Sequence, residues 1–263
     1  NEPAFVRLAG RLGKSNLRHP PRELFEALLK LFQNNKLERV IVKSSELLEI
    51  HPNSDIVLNL RGAAFAALGQ QEAAVQSYND ALTANPGNAE VHNNLGIIFL
   101  ETNEVEYAKD HFRKALERKS TYPEAFFNLG NAFKGDGNLT EALECYQKAV
   151  MQRPSYLKAL NNIGLINFEL GHLKKAVKSF EKALEIAPKN PELLNNLGLV
   201  QLELGDLKAA DGSFSSALIS KSNYPEALNN LGLVYQAQGD WEAAIDSYES
   251  ALRIRPGYIE ALH

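Results

Sequence analysis

Residues 195–198 read Asn-Asn-Leu-Gly, and the same four letters stand at 93–96 and 229–232. Asn-Asn-Ile-Gly occupies 161–164, and Phe-Asn-Leu-Gly occupies 127–130. Asparagine and glycine are poor helix formers, yet the flanking apolar residues keep helical spacing. The interval between copies is 34 residues. Internal repetition of that length decides the fold before any local reading does.

Working outward, other positions keep the same beat. Pro52, Pro86, Pro154, Pro188 and Pro256 lie on one 34-residue grid, while Pro123, Pro191 and Pro225 share a second phase. Proline ends a helix or sits in its first turn, so each junction marks a helix boundary. Gly62, Gly96, Gly130, Gly164, Gly198 and Gly232 form one small series. Ala74, Ala108, Ala142, Ala176, Ala210 and Ala244 form a second, and Ala81, Ala115, Ala149, Ala183, Ala217 and Ala251 a third. Aromatic residues recur at Tyr78, Phe112, Tyr146, Phe180, Phe214 and Tyr248. Between the small series lie turns such as Leu204-Gly205-Asp206, where glycine ends a helix with positive φ. Each unit reads as helix A, turn, helix B, turn. A glycine inside helix A costs about 0.5–1 kcal/mol against alanine. Its recurrence predicts close packing against the alanines of helix B.

The pattern resembles the tetratricopeptide repeat (TPR) family, whose 34-residue unit carries small residues at positions 8, 20 and 27 and proline at 32. In that frame, residues 1–20 form an N-terminal segment, where Phe5, Leu8 and Leu12 with Arg7, Arg11 and Lys14 predict a short amphipathic helix, read as a further cap or else as a partner contact. A degenerate first repeat spans 21–54, with Leu28, Val40 and Leu47 in place of the small residues. Six regular repeats follow at 55–88, 89–122, 123–156, 157–190, 191–224 and 225–258. Residues 259–263 match the first five positions of an eighth, from which the chain is expected to be part of something longer. The resemblance implies an all-α, right-handed solenoid superhelix with the A helices lining its concave side.

In such a fold, positions 2, 5, 6, 9, 12 and 13 of helix A face the groove. Position 6 is Asn94, Asn128, Asn162, Asn196 and Asn230. An asparagine amide pairs with both the N–H and the C=O of a passing backbone. Helices spaced about 8–10 Å apart would meet an extended peptide, rising about 3.3 Å per residue, at every third residue. This is similar to the asparagine ladder in the TPR arm of O-linked N-acetylglucosamine transferases. The alternative is that these amides bond to the adjacent repeat. Positions 9 and 12 supply an apolar stripe of Ile97, Leu100, Leu165, Phe168, Leu199, Leu202 and Leu233. The stripe reads either as an interaction surface or as packing buried between neighbouring A helices. Acids at position 13 (Glu101, Glu169, Glu203) and at position 2 (Glu90, Glu124, Glu192, Glu226) flank the stripe and favour a ligand with some positive charge, but those at position 2 are better explained by the first turn of a helix, where the dipole favours acids.

Composition narrows the function. A formal charge of −4 argues against nucleic acid as the main partner. The single cysteine, Cys145, excludes an internal disulfide and points to a reducing, cytoplasmic setting. No apolar run reaches the ~18 residues of a membrane span. The six histidines are scattered, with no metal-binding motif, and no nucleophile–base or catalytic carboxylate pair is visible, so no metal, cofactor or catalytic residue is expected. Position 5 is asparagine or phenylalanine where TPR domains that clamp chaperone carboxylates carry lysine. The expected function is a protein-interaction scaffold binding an extended peptide or partner helix, its ligand carrying apolar anchors and some positive charge. Two alternatives stand beside it. One is the recognition arm of a glycosyltransferase- or sulfotransferase-type enzyme, from a likeness of 20–32 and the units that follow to bacterial chains of that kind. The other is a self-assembly module.

Overall fold

The computed structural model describes residues 18–258. The expected capping helix within 1–20 falls almost wholly, and the opening of an eighth unit entirely, outside the described residues. Among those described there are fourteen α-helices and no strands. They are α1 (Arg22–Gln33), α2 (Leu37–Ile50), α3 (Asp55–Ala67), α4 (Gln71–Ala84), α5 (Ala89–Glu101), α6 (Val105–Arg118) and α7 (Pro123–Gly135). The second seven are α8 (Leu139–Gln152), α9 (Leu157–Glu169), α10 (Leu173–Ile186), α11 (Pro191–Glu203), α12 (Leu207–Ser220), α13 (Pro225–Gln238) and α14 (Trp241–Ile254). Odd-numbered helices are the A helices and even-numbered ones the B helices. The chain forms an all-α solenoid of helical repeats. It divides into two compact units between Asn138 and Leu139, inside the loop that joins α7 to α8.

Local chemistry sets the boundaries. Pro123, Pro191 and Pro225 occupy the first turns of α7, α11 and α13, where a missing N–H costs nothing. Asn88 caps α5 by accepting from the N–H groups of Glu90 and Val91, and Asn190 caps α11 through that of Leu193. The A-to-B turn is left-handed in every unit. Position 15 has positive φ at Gly69, Gly137, Gly171, Gly205 and Gly239, and at Asn35 and Asn103. Asparagine is the residue that best tolerates this conformation after glycine. Asn35 therefore gives the divergent first helix pair the same turn as the rest.

Within the first unit α1 touches α3, α3 touches α5 and α5 touches α7, and each B helix packs on the A helix that follows. In the second unit α9 touches α11, α11 touches α13, and α8, α10 and α12 pack on their successors. The repeated glycine has a different partner from the one expected. A β-carbon on Gly62, Gly96, Gly164, Gly198 or Gly232 would stand 2.5–2.6 Å from the ring at position 24 of its own repeat: Tyr78, Phe112, Phe180, Phe214 or Tyr248. It is an aromatic ring of helix B pressed against helix A, rather than an alanine, that excludes any side chain there. The alanine series are buried, almost all completely, letting the helices approach elsewhere. The first repeat reverses the sizes. Leu28 replaces glycine and Ser44 replaces the aromatic residue, and both are fully buried. Volume is conserved by exchanging which helix supplies it.

Chain entry is tied down by Asp55, whose side chain is buried. Arg18 lies 3.2 Å from its carboxylate and also donates to the Ala84 carbonyl at 2.7 Å. Asn85 and Asn88 donate to the other carboxylate oxygen at 2.7 and 2.8 Å. Burial pushes the Asp55 pKa upward, but these bonds and the charges of Arg18 and His19 hold it below the usual range.

Candidate functional site

The position-6 asparagines make a ladder, and its rungs run from repeat to repeat. Asn94 Nδ2 donates to Asn59 Oδ1 at 2.9 Å, and Asn128 to Asn93 at 2.9 Å. In the second unit Asn196 donates to Asn161 at 3.1 Å and Asn230 to Asn195 at 3.0 Å. Each rung joins position 6 of one A helix to position 5 of the preceding A helix. Asn94 also bonds the Tyr78 phenol, and Asn162 bonds that of Tyr146. Burial pushes the Tyr146 pKa up to about 12, against the pull of that bond. A primary amide has two N–H donors and a carbonyl oxygen with two lone pairs, so a rung uses one donor of the position-6 asparagine and one lone pair of the position-5 asparagine.

The apolar stripe is half-buried for most of its length. Leu165 and Phe168 pack against the cluster around Phe180, Leu197 and Val200. Leu199 and Leu202 pack against Phe214, Leu231 and Val234. Ile97 and Leu100 are half-buried on α5. Leu233 on α13 is the most open, at 40% exposure.

In the second unit, these elements border a cavity of about 830 Å³. Asn161 and Leu165 from α9, and Glu192 and Asn196 from α11, line it. The α12–α13 junction adds Lys221, Asn223 and Tyr224, the first turn of α13 adds Pro225 and Glu226, and the end of α14 adds Ile254 and Arg255. Positions 2, 5, 6 and 9 of the A helices thus converge with residues of the B-to-A junctions. The junction residues escaped the sequence reading, although their signal was there. A basic residue at position 31 and tyrosine at position 34 recur at Lys119/Tyr122, Arg153/Tyr156, Lys221/Tyr224 and Arg255/Tyr258. In each pair the cation lies over the ring, 4.5–5.1 Å from its centre.

The charges at this cavity are unequally satisfied. Arg255 donates to Glu226 at 2.7 Å, and Lys221 rests on Tyr224. Glu192 is exposed and has no ion-pair partner among the described residues. Burial, with Glu226 and Glu192 nearby, pushes the Tyr224 phenol up to about 12, so it stays a neutral donor at physiological pH. The lining therefore holds two acids, Glu192 and Glu226, and two bases, Lys221 and Arg255, beside the apolar Leu165 and Ile254 and the amides of Asn161 and Asn196.

A second titratable cluster lies in the first unit, between α5 and α6. His92 Nδ1 and His111 Nδ1 are 3.2 Å apart, and His92 Nε2 is 3.2 Å from the Pro86 carbonyl. The Pro86 contact puts the His92 proton on Nε2, so His111 donates from Nδ1 to His92 Nδ1. Burial first, then the neighbouring His92 and Lys114, lower the His111 pKa to about 4. Burial also lowers that of His92. No group of three metal-ligating side chains occurs among the described residues, and no helix among them is long and apolar enough to cross a membrane.

Models of the tetratricopeptide repeat match residues 89–122, 123–156 and 225–258, and a TPR repeat model matches 62–103 and 164–205. Together they cover more than half of the sequence. The chain belongs to the tetratricopeptide repeat family. Among solved TPR structures, one described as the C-terminal part of a TPR repeat-containing protein from Cytophaga hutchinsonii is 19% identical, with a TM-score of 0.73. That match covers 90% of this chain and 98% of the other. PilF of Pseudomonas aeruginosa is 20% identical with a TM-score of 0.68, covering 79% and 95%. YrrB, described as a TPR protein with an unusual peptide-binding site, is 24% identical with a TM-score of 0.63, covering 71% and 96%. Identities this low establish a shared TPR fold. No curated protein matches this sequence significantly.

Proposed function

We propose that this TPR protein is a protein-interaction scaffold whose A-helix side holds an extended peptide. The cavity bounded by Asn161, Leu165, Glu192 and Asn196 carries the proposal. It offers backbone-pairing amides, an apolar wall and, at Glu192, a carboxylate without an ion-pair partner among the described residues, while the Lys221 ammonium in the same lining is held over the Tyr224 ring. The preferred ligand has a lysine or arginine next to a large apolar residue. The cation meets Glu192, and the apolar side chain rests on Leu165 and Ile254. YrrB, with its reported peptide-binding site, supports the reading by likeness of fold.

The test is a display-library selection against the intact chain, followed by fluorescence anisotropy with the enriched peptides. Peptides pairing a basic with an apolar residue should be enriched, and Glu192→Lys should weaken their binding about tenfold or more. Selection of acidic peptides, or equal binding by Glu192→Lys, would overturn the assignment.

A further inference from the structure

The junctions between repeats follow a longer interval than the repeat itself. Residues 119–125 read Lys-Ser-Thr-Tyr-Pro-Glu-Ala, and residues 221–227, three repeats on, read Lys-Ser-Asn-Tyr-Pro-Glu-Ala. Arg-Pro-Ser-Tyr at 153–156 returns in the same way as Arg-Pro-Gly-Tyr at 255–258. A third kind of junction ends in the capping residues Asn88 and Asn190, again three repeats apart. The lining of the second unit's cavity therefore has counterparts in the first unit.

Those counterparts keep both the chemistry and the contacts. Asn59, Glu90, Asn94, Lys119, Tyr122 and Glu124 stand where the second unit has Asn161, Glu192, Asn196, Lys221, Tyr224 and Glu226. Asn94 donates to Asn59 at 2.9 Å, as Asn196 donates to Asn161 at 3.1 Å. The Lys119 ammonium lies 4.6 Å from the centre of the Tyr122 ring, and that of Lys221 lies 4.5 Å from the centre of Tyr224. Burial first, then Glu90 and Glu124, pushes the Tyr122 phenol up to about 12, so the same two carboxylates stand near the ring in each unit. Glu90, like Glu192, is exposed.

The fold does not demand this set. The repeat at 157–190 carries Lys158, Ala187 and Asn190 at the glutamate, lysine and tyrosine positions, yet forms the same helix pair, α9 and α10. One part of the wall differs between the units. Ala63, half-buried on α3, stands in place of Leu165.

We infer that the first unit carries a second peptide site, built from Asn59, Ala63, Glu90 and Asn94, for a ligand with a lysine or arginine beside an aromatic residue. The inference rests on the function proposed for the second unit's cavity. The cation meets Glu90, and the aromatic ring takes the space that leucine fills in the other unit. A leucine or isoleucine of the ligand would leave a gap over Ala63 and lose contacts there.

Selection from a peptide display library against two single variants separates the sites. Glu192→Lys keeps the first-unit site and should enrich a basic residue next to tryptophan or tyrosine. Glu90→Lys keeps the second-unit cavity and should enrich a basic residue next to leucine or isoleucine. Among peptides selected on the intact chain, the loss on Glu192→Lys thus belongs to the leucine class. In fluorescence anisotropy the aromatic class should bind Glu90→Lys about tenfold or more weakly than wild type, and Glu192→Lys as well as wild type. Ala63→Leu installs the residue that position 9 carries at Leu165, Leu199 and Leu233. It should weaken the aromatic class about tenfold with unchanged helical circular dichroism. If Glu192→Lys enriches no basic–aromatic peptide, or if the aromatic class ignores Glu90→Lys, this inference falls and the second unit's cavity stands. Leucine-class peptides that bind Glu192→Lys as tightly as wild type would overturn the cavity's assignment, and this inference with it.

Discussion

At Gly198 a β-carbon would lie 2.6 Å from Cε1 of the fully buried Phe214. A ring held on all sides cannot yield cheaply, and overpacking of this kind costs about 1–3 kcal/mol. Gly198→Ala should therefore lower stability by that amount in chemical denaturation, and adding Phe214→Leu should recover part of it. Independent, additive losses in the double variant would disprove the contact as the cause. Asn167 is the opposite case, a polar side chain where the core favours an apolar one. Its amide donates to the Ile163 carbonyl at 2.8 Å, but its own buried oxygen has no partner. The same position is Phe65, Phe99 and Phe133 in the second, third and fourth repeats. Asn167→Leu should stabilise the protein by about 1 kcal/mol. A lower thermal midpoint in that variant would mean that the oxygen has a use after all.

At the scale of a helix pair, the His92–His111 contact makes α5 and α6 sensitive to acid. Unfolded histidine titrates near ~6.5, whereas His111 in the folded chain titrates at about 4. Between these values the unfolded chain binds protons that the folded chain refuses, so stability falls as pH falls. Above pH ~6.5 both states are neutral and the slope vanishes. The loss across the window should be on the order of 1–3 kcal/mol. His111→Phe should flatten the curve in denaturant titrations between pH 7 and 4. An unchanged slope in that variant would assign the acid sensitivity elsewhere. Helix pairs also show which variations the repeat tolerates. Exchanging glycine and an aromatic ring for Leu28 and Ser44 preserves the filled volume, and Asn35 or Asn103 serves where glycine makes the left-handed turn.

Across the whole molecule, stability and recognition draw on overlapping residues. Asn230 and Asn195 form a buried rung, so Asn230→Ala strands the Asn195 oxygen and should cost about 1–3 kcal/mol. Glu192 is exposed at a cavity rim, and Glu192→Lys should leave the melt within about 0.5 kcal/mol of wild type while weakening peptide binding. Opposite outcomes in the two variants are the signature of a ladder that holds repeats together beside a cavity that recognises ligand. A Glu192→Lys protein that melts early would merge the two roles.

The sequence alone determined the period, the helix boundaries and the family, because each depends on local chemistry that recurs every 34 residues. Prolines stop or start helices, glycine or asparagine makes the left-handed turn, and small residues keep phase. It also singled out the asparagines and the apolar stripe, but left two readings open for each. Only the tertiary structure decided that the position-6 amides of Asn94, Asn128, Asn196 and Asn230 reach back to the preceding helix, and that aromatic rings press on the glycines. Only there do Lys221, Tyr224 and Arg255 join Asn161 and Leu165 around one cavity. The reason is geometric. Period says which residues are equivalent, whereas a hydrogen bond or a cavity wall depends on how far one helix stands from the next, a distance that the packed side chains of both must set together.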